Sequence, residues 1–285
     1  MQVSAIVVNF NARDHLLACA RSLRAAGVDE LIVVDNASSD GSLEAVTAAD
    51  GAVLGMQTGA NLGYGRAVNR GATRATNELL LVCNADTVVE PGAVSALSNA
   101  LEHDAGLGIV GARIESPDGS VYPSPRTFPN MVDAFGHAFL GIVFPRNRFT
   151  RRYRLLDGDR SQPASDVDWV SGSCFMARRT TWDSISGFDE AYFMFAEDVD
   201  LCWRAKRAGW RVGFIPDARI MHVQGVSVSQ HPYRMLVAHH RSLLRFSARS
   251  TEGWRRLLLP LVTLGLGLRL VVTCAHRAIE GRRNR

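Results

Sequence analysis

Short apolar runs alternate with segments of helical periodicity over the first 115 positions. Val3–Phe10 reads as a buried strand and Asp14–Ala26 as an amphipathic helix. Leu31–Asp35 and Val53–Thr58 repeat the strand pattern, and Asp40-Gly41-Ser42 opens a helix between them. A glycine-rich turn over residues 59–66 leads into a helix at Arg66–Ala75. Leu79–Cys83 is a continuous apolar run of the kind buried on both faces of a parallel sheet. Pro91–Leu101 reads as a helix with Pro91 in its first turn. This alternation predicts an α/β fold: a doubly wound, mostly parallel sheet with helices on both faces.

The pattern breaks at 117–165, where Pro117, Pro123, Pro125, Pro129, Pro145 and Pro163 punctuate a stretch rich in arginine and aromatics. A long, partly mobile insertion over a site is expected there. Order resumes at Val167–Arg178, followed by an acidic helix and by strands at Val212–Ile215 and Arg219–Val223. From Tyr233 onward the chain reads as helical, and no internal repeat is visible.

The 285 residues carry a formal charge of +4, and 47% are hydrophobic, enough for a sizeable core in one or two domains. The basic excess is nearly all arginine, with Lys206 the one lysine, which points to genome composition rather than to nucleic-acid binding. Cys19, Cys83, Cys174, Cys202 and Cys274 are scattered and lack metal-type spacing, so reduced, mostly buried thiols in a cytoplasmic setting are expected. The N-terminal segment lacks a basic region and a cleavage pattern, and reads as the first strand rather than a secretion signal.

In open α/β sheets, ligands bind beyond the carboxyl ends of the strands. Asn9 to Asn11, Asp35-Asn36 and Asn84 to Asp86 all fall at such ends. Each alone reads first as a turn-forming residue; three at one sheet edge shift the balance towards a site. Asp35 can accept the imide N–H of a pyrimidine, and the Gly59–Arg66 turn offers backbone N–H groups to an anion. Asp86 is the candidate ligand for Mg²⁺ or Mn²⁺, with His222 as its partner; an N,O pair suits Mn²⁺ somewhat better. Glu197, Asp198 and Asp200 crowd three carboxylates into four positions after Tyr192-Phe193-Met194-Phe195. An Asp200–Arg204 pair one turn apart explains one of the three. Glu197 and Asp198 remain, as candidates for proton transfer from a hydroxyl.

Five segments, in this order, resemble the family-2 inverting glycosyltransferases of the GT-A fold. They are Val-Val-Asn-Phe-Asn (7–11), Val-Val-Asp-Asn-Ala-Ser-Ser-Asp-Gly (33–41), Asn-Leu-Gly-Tyr-Gly-Arg-Ala-Val-Asn (61–69), Asn-Ala-Asp (84–86) and Glu-Asp-Val-Asp-Leu-Cys-Trp-Arg (197–204). The resemblance implies a catalytic domain over 1–230. Its nucleotide-sugar half would be about 1–115 and its acceptor half about 116–230, with a helical C-terminal extension over 231–285. It implies Asn9, Asp35, Asn61, Asn69, Asn84 and Asp86 on the donor side, and a divalent metal at Asp86 and His222. It makes Asp198 the base, with Trp169, Gly172, Ser173, Glu197 and, more speculatively, Arg126 on the acceptor side. One departure stands out: Asn84 replaces the first acid of the usual Asp-x-Asp metal motif and weakens the site's charge. Within the family, the chain looks most like the N-acetylglucosaminyl-diphospho-polyprenol L-rhamnosyltransferases. That implies dTDP-L-rhamnose as donor and a polyprenyl-diphosphate-linked acceptor. A UDP-sugar transferase and a non-catalytic nucleotide-sugar binding protein are the alternatives, and a homo-oligomer is compatible with the sequence.

In the tail, Arg269 interrupts the apolar run Leu257–His276 after twelve residues, too few for a span. Arg255, Arg269 and Arg277 fall within roughly an 80° arc of one helix. An interfacial helix is therefore expected, its basic stripe reinforced by Arg282, Arg283 and Arg285 and held on the anionic inner face of the plasma membrane. A buried C-terminal helix and a true span are the alternatives.

Overall fold

The computed structural model describes residues 1–128, 162–223, 225 and 230–283. Most of the proline-rich insertion, residues 129–161, lies outside them, as do the side chains of Arg282, Arg283 and Arg285.

Four strands form the first half of the sheet: β1 (Val3–Asn9), β2 (Glu30–Asp35), β3 (Val53–Gln57) and β4 (Leu79–Asn84). They lie parallel in the order β3-β2-β1-β4, joined by α1 (Arg13–Ala25), α2 (Ser42–Ala49) and α3 (Tyr64–Ala72). Their side chains alternate between two cores. Val3, Ala5 and Val7 of β1 face the side covered by Leu16, Leu23 and Val46, whereas Ile6 faces Val68 of α3. That period of two on a sheet covered on both faces is why these strands read as unbroken apolar runs.

Beyond β4 the sheet becomes mixed. β5 (Thr87–Val89), α4 (Ala93–His103) and β6 (Leu107–Glu115) come next, then β7 (Val121–Tyr122), β8 (Ala164–Val167) and β9 (Cys174–Arg178). β9 runs antiparallel between β4 and β6, so the sheet passes without interruption from the first half into the second. α5 (Arg179–Ser184) and α6 (Glu197–Arg207) follow, then β10 (Arg211–His222). The two late strands expected from sequence are one strand, broken in register between Ile215 and Arg219, where Pro216 interrupts the ladder. Pro91 also differs from expectation: it precedes Gly92, the left-handed cap of α4, and so lies outside the first turn.

The chain ends in α7 (Pro232–Ser250), a 3₁₀ turn (Gly253–Leu258) and α8 (Leu259–Arg283). α7 packs onto the α/β layer, since Phe246 is buried in the second core beside Trp203 and Phe128. α8 presents Leu261, Leu264, Leu268 and Val271 outward, each more than half exposed, so it is not the buried helix considered above. Gly253–Ile279 is long and apolar enough to cross a membrane by length and composition, which the count of residues before Arg269 understated. Of the expected arginine stripe, Arg269 does not face outward with the leucines but sits half-buried near His240 of α7, whereas Arg255 and Arg277 are exposed.

Candidate active site

The carboxyl ends of β1, β2 and β4 are side by side, with Asn9 in register with Asp35 and Val8 with Asn84. Two of the expected donor residues are buried beneath this edge. Asn9 donates to Asp35 Oδ1 (2.9 Å), and the Ser38 N–H donates to Asp35 Oδ2 (2.9 Å), so both side chains hold the 35–38 turn in place. Asn69 is likewise occupied, donating to the Phe188 carbonyl and accepting from the Phe188 N–H, each at 2.9 Å. None of the three, expected on the donor side, lines the cavity; each bonds to the chain beneath or beside it. Asn36, also buried, lines the cavity instead. It donates to Asn61 Oδ1 (3.0 Å) and accepts from the Leu62 N–H (2.9 Å), shaping the glycine-rich turn. Gly63 is required there: at φ +87° a Cβ would lie 2.2 Å from the Phe193 carbonyl oxygen.

A cavity of about 580 Å³ opens over this edge. It brings together Asn61, Asn84, Asp86, His222, Trp169, Gly172, Ser173, Glu197, Asp198 and Arg126, all named from sequence. On the donor side, β10 returns to the 84–86 turn, with the Val223 N–H donating to the Asp86 carbonyl (3.0 Å). His222 Nε2 then lies 3.1 Å from Asp86 Oδ1 and 3.4 Å from Asn84 Nδ2. Turning the Asn84 amide over would point its oxygen at the same place. One carboxylate oxygen, one imidazole nitrogen and one amide oxygen suit a divalent cation of intermediate hardness. The residues present therefore fit a metal, held by Asp86 and His222 and assisted by Asn84. Among the described residues no group of three His, Cys, Asp or Glu converges on a point, so other ligands have to come from diphosphate or water.

The acceptor side is built on a strained corner. Phe195 (φ +68°) and Ala196 (φ +59°) are consecutive left-handed residues immediately before α6. Bulky side chains avoid that region, and such outliers concentrate at functional sites. The corner turns the start of α6 into the cavity. Gly172 N–H donates to Asp198 Oδ2 and Val199 N–H to Oδ1, both at 2.9 Å. Tyr64, overlooked from sequence, donates its hydroxyl to the Gly172 carbonyl (2.8 Å) and braces that strand end. Its place in the Gly-Tyr-Gly turn was the available signal. Asp200 makes the expected pair with Arg204 at 2.6 Å and stays out of the site.

Burial raises the pKa of both neighbouring carboxyls, and the Asp198 charge raises Glu197 further. Glu197 goes up to about 8, mainly through loss of water and then through the Asp198 charge. Its Oε2 has no hydrogen-bond partner among the described residues. Asp198 is also raised by burial, but two N–H donors and the charge of Arg126 oppose the shift. Shared charge therefore settles on Asp198, and the proton on Glu197. Arg126 is held with its guanidinium 4.9 Å from the ring centroids of both Tyr122 and Trp169, and its Nε donates to the Pro123 carbonyl (2.8 Å).

Fold and site together define a GT-A nucleotide-sugar transferase, and comparison with known proteins agrees. Residues 1–237 match the family model described as glycosyltransferase like family 2, and the chain belongs to that family. It is 36% identical over 265 residues to the N-acetylglucosaminyl-diphospho-decaprenol L-rhamnosyltransferase of Mycobacterium tuberculosis H37Rv, covering 88% of this chain and 85% of that one. Two solved structures share the fold. The mannosyltransferase of Pyrobaculum calidifontis, in complex with GDP-Man and Mn²⁺, gives a TM-score of 0.63 at 17% identity, over 96% of this chain and 75% of that one. Residues 1–349 of Staphylococcus aureus TarS give 0.60 at 14% identity, over 94% and 71%.

Proposed function

We propose that the chain transfers L-rhamnose from dTDP-L-rhamnose to a polyprenyl-diphosphate-linked N-acetylglucosamine, with inversion at the anomeric carbon. The observation that carries the chemistry is Asp198, an N–H-anchored carboxylate that shares one cavity with the Asp86–His222 pair. The choice of sugar and acceptor rests on the 36% identity to the mycobacterial rhamnosyltransferase.

The two N–H donors fix the Asp198 carboxylate and leave each oxygen a lone pair for an acceptor hydroxyl. Asp198 takes the proton as that oxygen attacks the anomeric carbon from the face opposite the leaving nucleoside diphosphate. Glu197, protonated beside it, keeps a second negative charge away from the base. A divalent metal at Asp86 and His222 would supply charge neutralisation at the leaving diphosphate. Asn36 and Asn61 hold the turn on the donor side, and Trp169 with Arg126 walls the acceptor side.

The same reading places the enzyme on the inner face of the plasma membrane, where a lipid-linked acceptor is found. The outward leucines of α8, with exposed Trp254 beside Arg255 and Arg256 at its start, support a lipid contact.

Sugar transfer to a short-chain polyprenyl-diphosphate-N-acetylglucosamine tests the proposal, with dTDP-rhamnose, UDP-galactose and UDP-glucose in parallel and with Mn²⁺, Mg²⁺ or EDTA. Turnover with dTDP-rhamnose, suppressed by EDTA, is expected. Turnover with a UDP-sugar alone discards the rhamnose assignment. Nucleotide-sugar binding without transfer from any donor discards the catalytic one.

A further inference from the structure

The cavity does not stop at the reacting groups. It continues along α7, where Met235, Leu236, His239 and Leu243 form one wall, and it reaches Arg277 on α8. Their spacing puts these α7 residues on a single helix face, and each is only half-buried. α7 is fixed to the loop that carries the base: Ser242 donates to the Met194 carbonyl (2.9 Å), and the His239 ring stands edge-on to Phe195 with centroids 5.2 Å apart. Arg277 is exposed at the rim and makes no ion pair or hydrogen bond with the described residues. The same cavity thus carries the carboxylates and Arg126, an apolar helix face and a second arginine, Arg277, which has no ion pair or hydrogen bond with the described residues.

That combination of surfaces suits an amphiphile with a sugar at one end, an anionic link and an apolar tail. We propose that α7 and Arg277 form the lipid-diphosphate subsite of the acceptor. Arg277 takes the diphosphate, and Met235, Leu236 and Leu243 take the first isoprene units. The inference rests on the lipid-linked acceptor proposed above. A guanidinium presents a fork of N–H donors that matches two phosphate oxygens, a geometry an ammonium cannot reproduce. Methionine and leucine side chains suit a flexible hydrocarbon without demanding one fixed shape. α8 adds a direction: its inward side carries Arg269 near α7, whereas its outward side is leucine and valine, so a tail leaving the cavity past α8 reaches an apolar surface.

The test is direct binding to the full chain of geranylgeranyl diphosphate, inorganic diphosphate and geranylgeraniol, followed by calorimetry. The intact lipid diphosphate is expected to bind at least tenfold more tightly than either half alone. Arg277→Ala should weaken it about tenfold, with Arg277→Lys recovering only part. Leu236→Asp should erase the preference over inorganic diphosphate. Since Arg277 is exposed, loss of fold is not a competing explanation, and a melting curve checks the Leu236 variant. Unchanged affinity in Arg277→Ala, or equal binding of inorganic and lipid diphosphate by the wild type, overturns the subsite. In transfer assays, Arg277→Ala should raise KM for the lipid acceptor and leave KM for the nucleotide sugar alone. Wild type that binds the lipid diphosphate but transfers no sugar would sink the proposed function and keep the subsite. Wild type that transfers normally, with Arg277→Ala indistinguishable from it, would do the reverse.

Discussion

Two N–H groups converge on Asp198, from Gly172 and Val199, whereas Glu197 Oε2 meets none. Replacing Asp198 by Asn keeps the shape and removes the basic lone pair. Transfer should fall on the order of 10²–10⁴-fold, the usual scale of general-base loss, while nucleotide-sugar affinity holds; near-normal turnover would remove Asp198 from the mechanism. Gly172 allows the base its place, since a Cβ there would lie 3.1 Å from Asp198 Cβ. Gly172→Ala should lower kcat roughly tenfold or more by displacing the carboxylate, with little change in melting temperature. Glu197 carries a pH signature. Its folded pKa of about 8 lies above the ordinary 4.5, so the folded chain keeps a proton that the unfolded chain gives up. Its contribution to stability is whole below about pH 4.5 and is lost as pH rises towards 8. Glu197→Gln should therefore match wild type in melting temperature near pH 4 and exceed it by several degrees near pH 8.5. Parallel curves across that range would show that Glu197 is ionised in the folded state.

Single elements differ in how openly the sequence announces them. β1, β2 and β4 were legible because burial on both faces leaves mostly apolar residues in them, and the polar residue that ends each run marks the sheet edge. What such a pattern cannot encode is which polar residue of an edge pair lines the cavity. Asp35 ends β2 and Asn36 follows it, and both are buried, yet the aspartate holds the 35–38 turn while the asparagine lines the cavity and shapes the glycine-rich turn. Asn69 was misplaced for the same reason: a long-range bond to Phe188, 119 residues away, absorbs its amide. Tyr64 and the α7 wall needed tertiary contacts to be seen at all. The end of β10 is the clearest example of an element carrying function, because its pairing with β5 delivers His222 to Asp86. Asp86→Ala should therefore abolish the Mn²⁺ dependence of nucleotide-sugar binding in calorimetry and weaken that binding tenfold or more. Equal affinities with and without Mn²⁺ in the wild type would argue that Asp86 and His222 hold only each other.

For the whole molecule, the outward leucines of α8 predict where the protein partitions. Leu264→Glu combined with Leu268→Glu should reduce co-sedimentation with vesicles containing phosphatidylglycerol several-fold, leaving the fold intact because both positions are exposed. Unchanged co-sedimentation would assign the helix to another partner. The sheet has a different consequence. β9 is laced antiparallel between β4 and β6, so the first four strands and the later ones are hydrogen-bonded into one plate. A plate of this kind has no seam along which two lobes could part. Breathing in the catalytic cycle is therefore left to the turns above the strand ends, while hydrogen exchange through the plate should proceed as one block, in step with global unfolding.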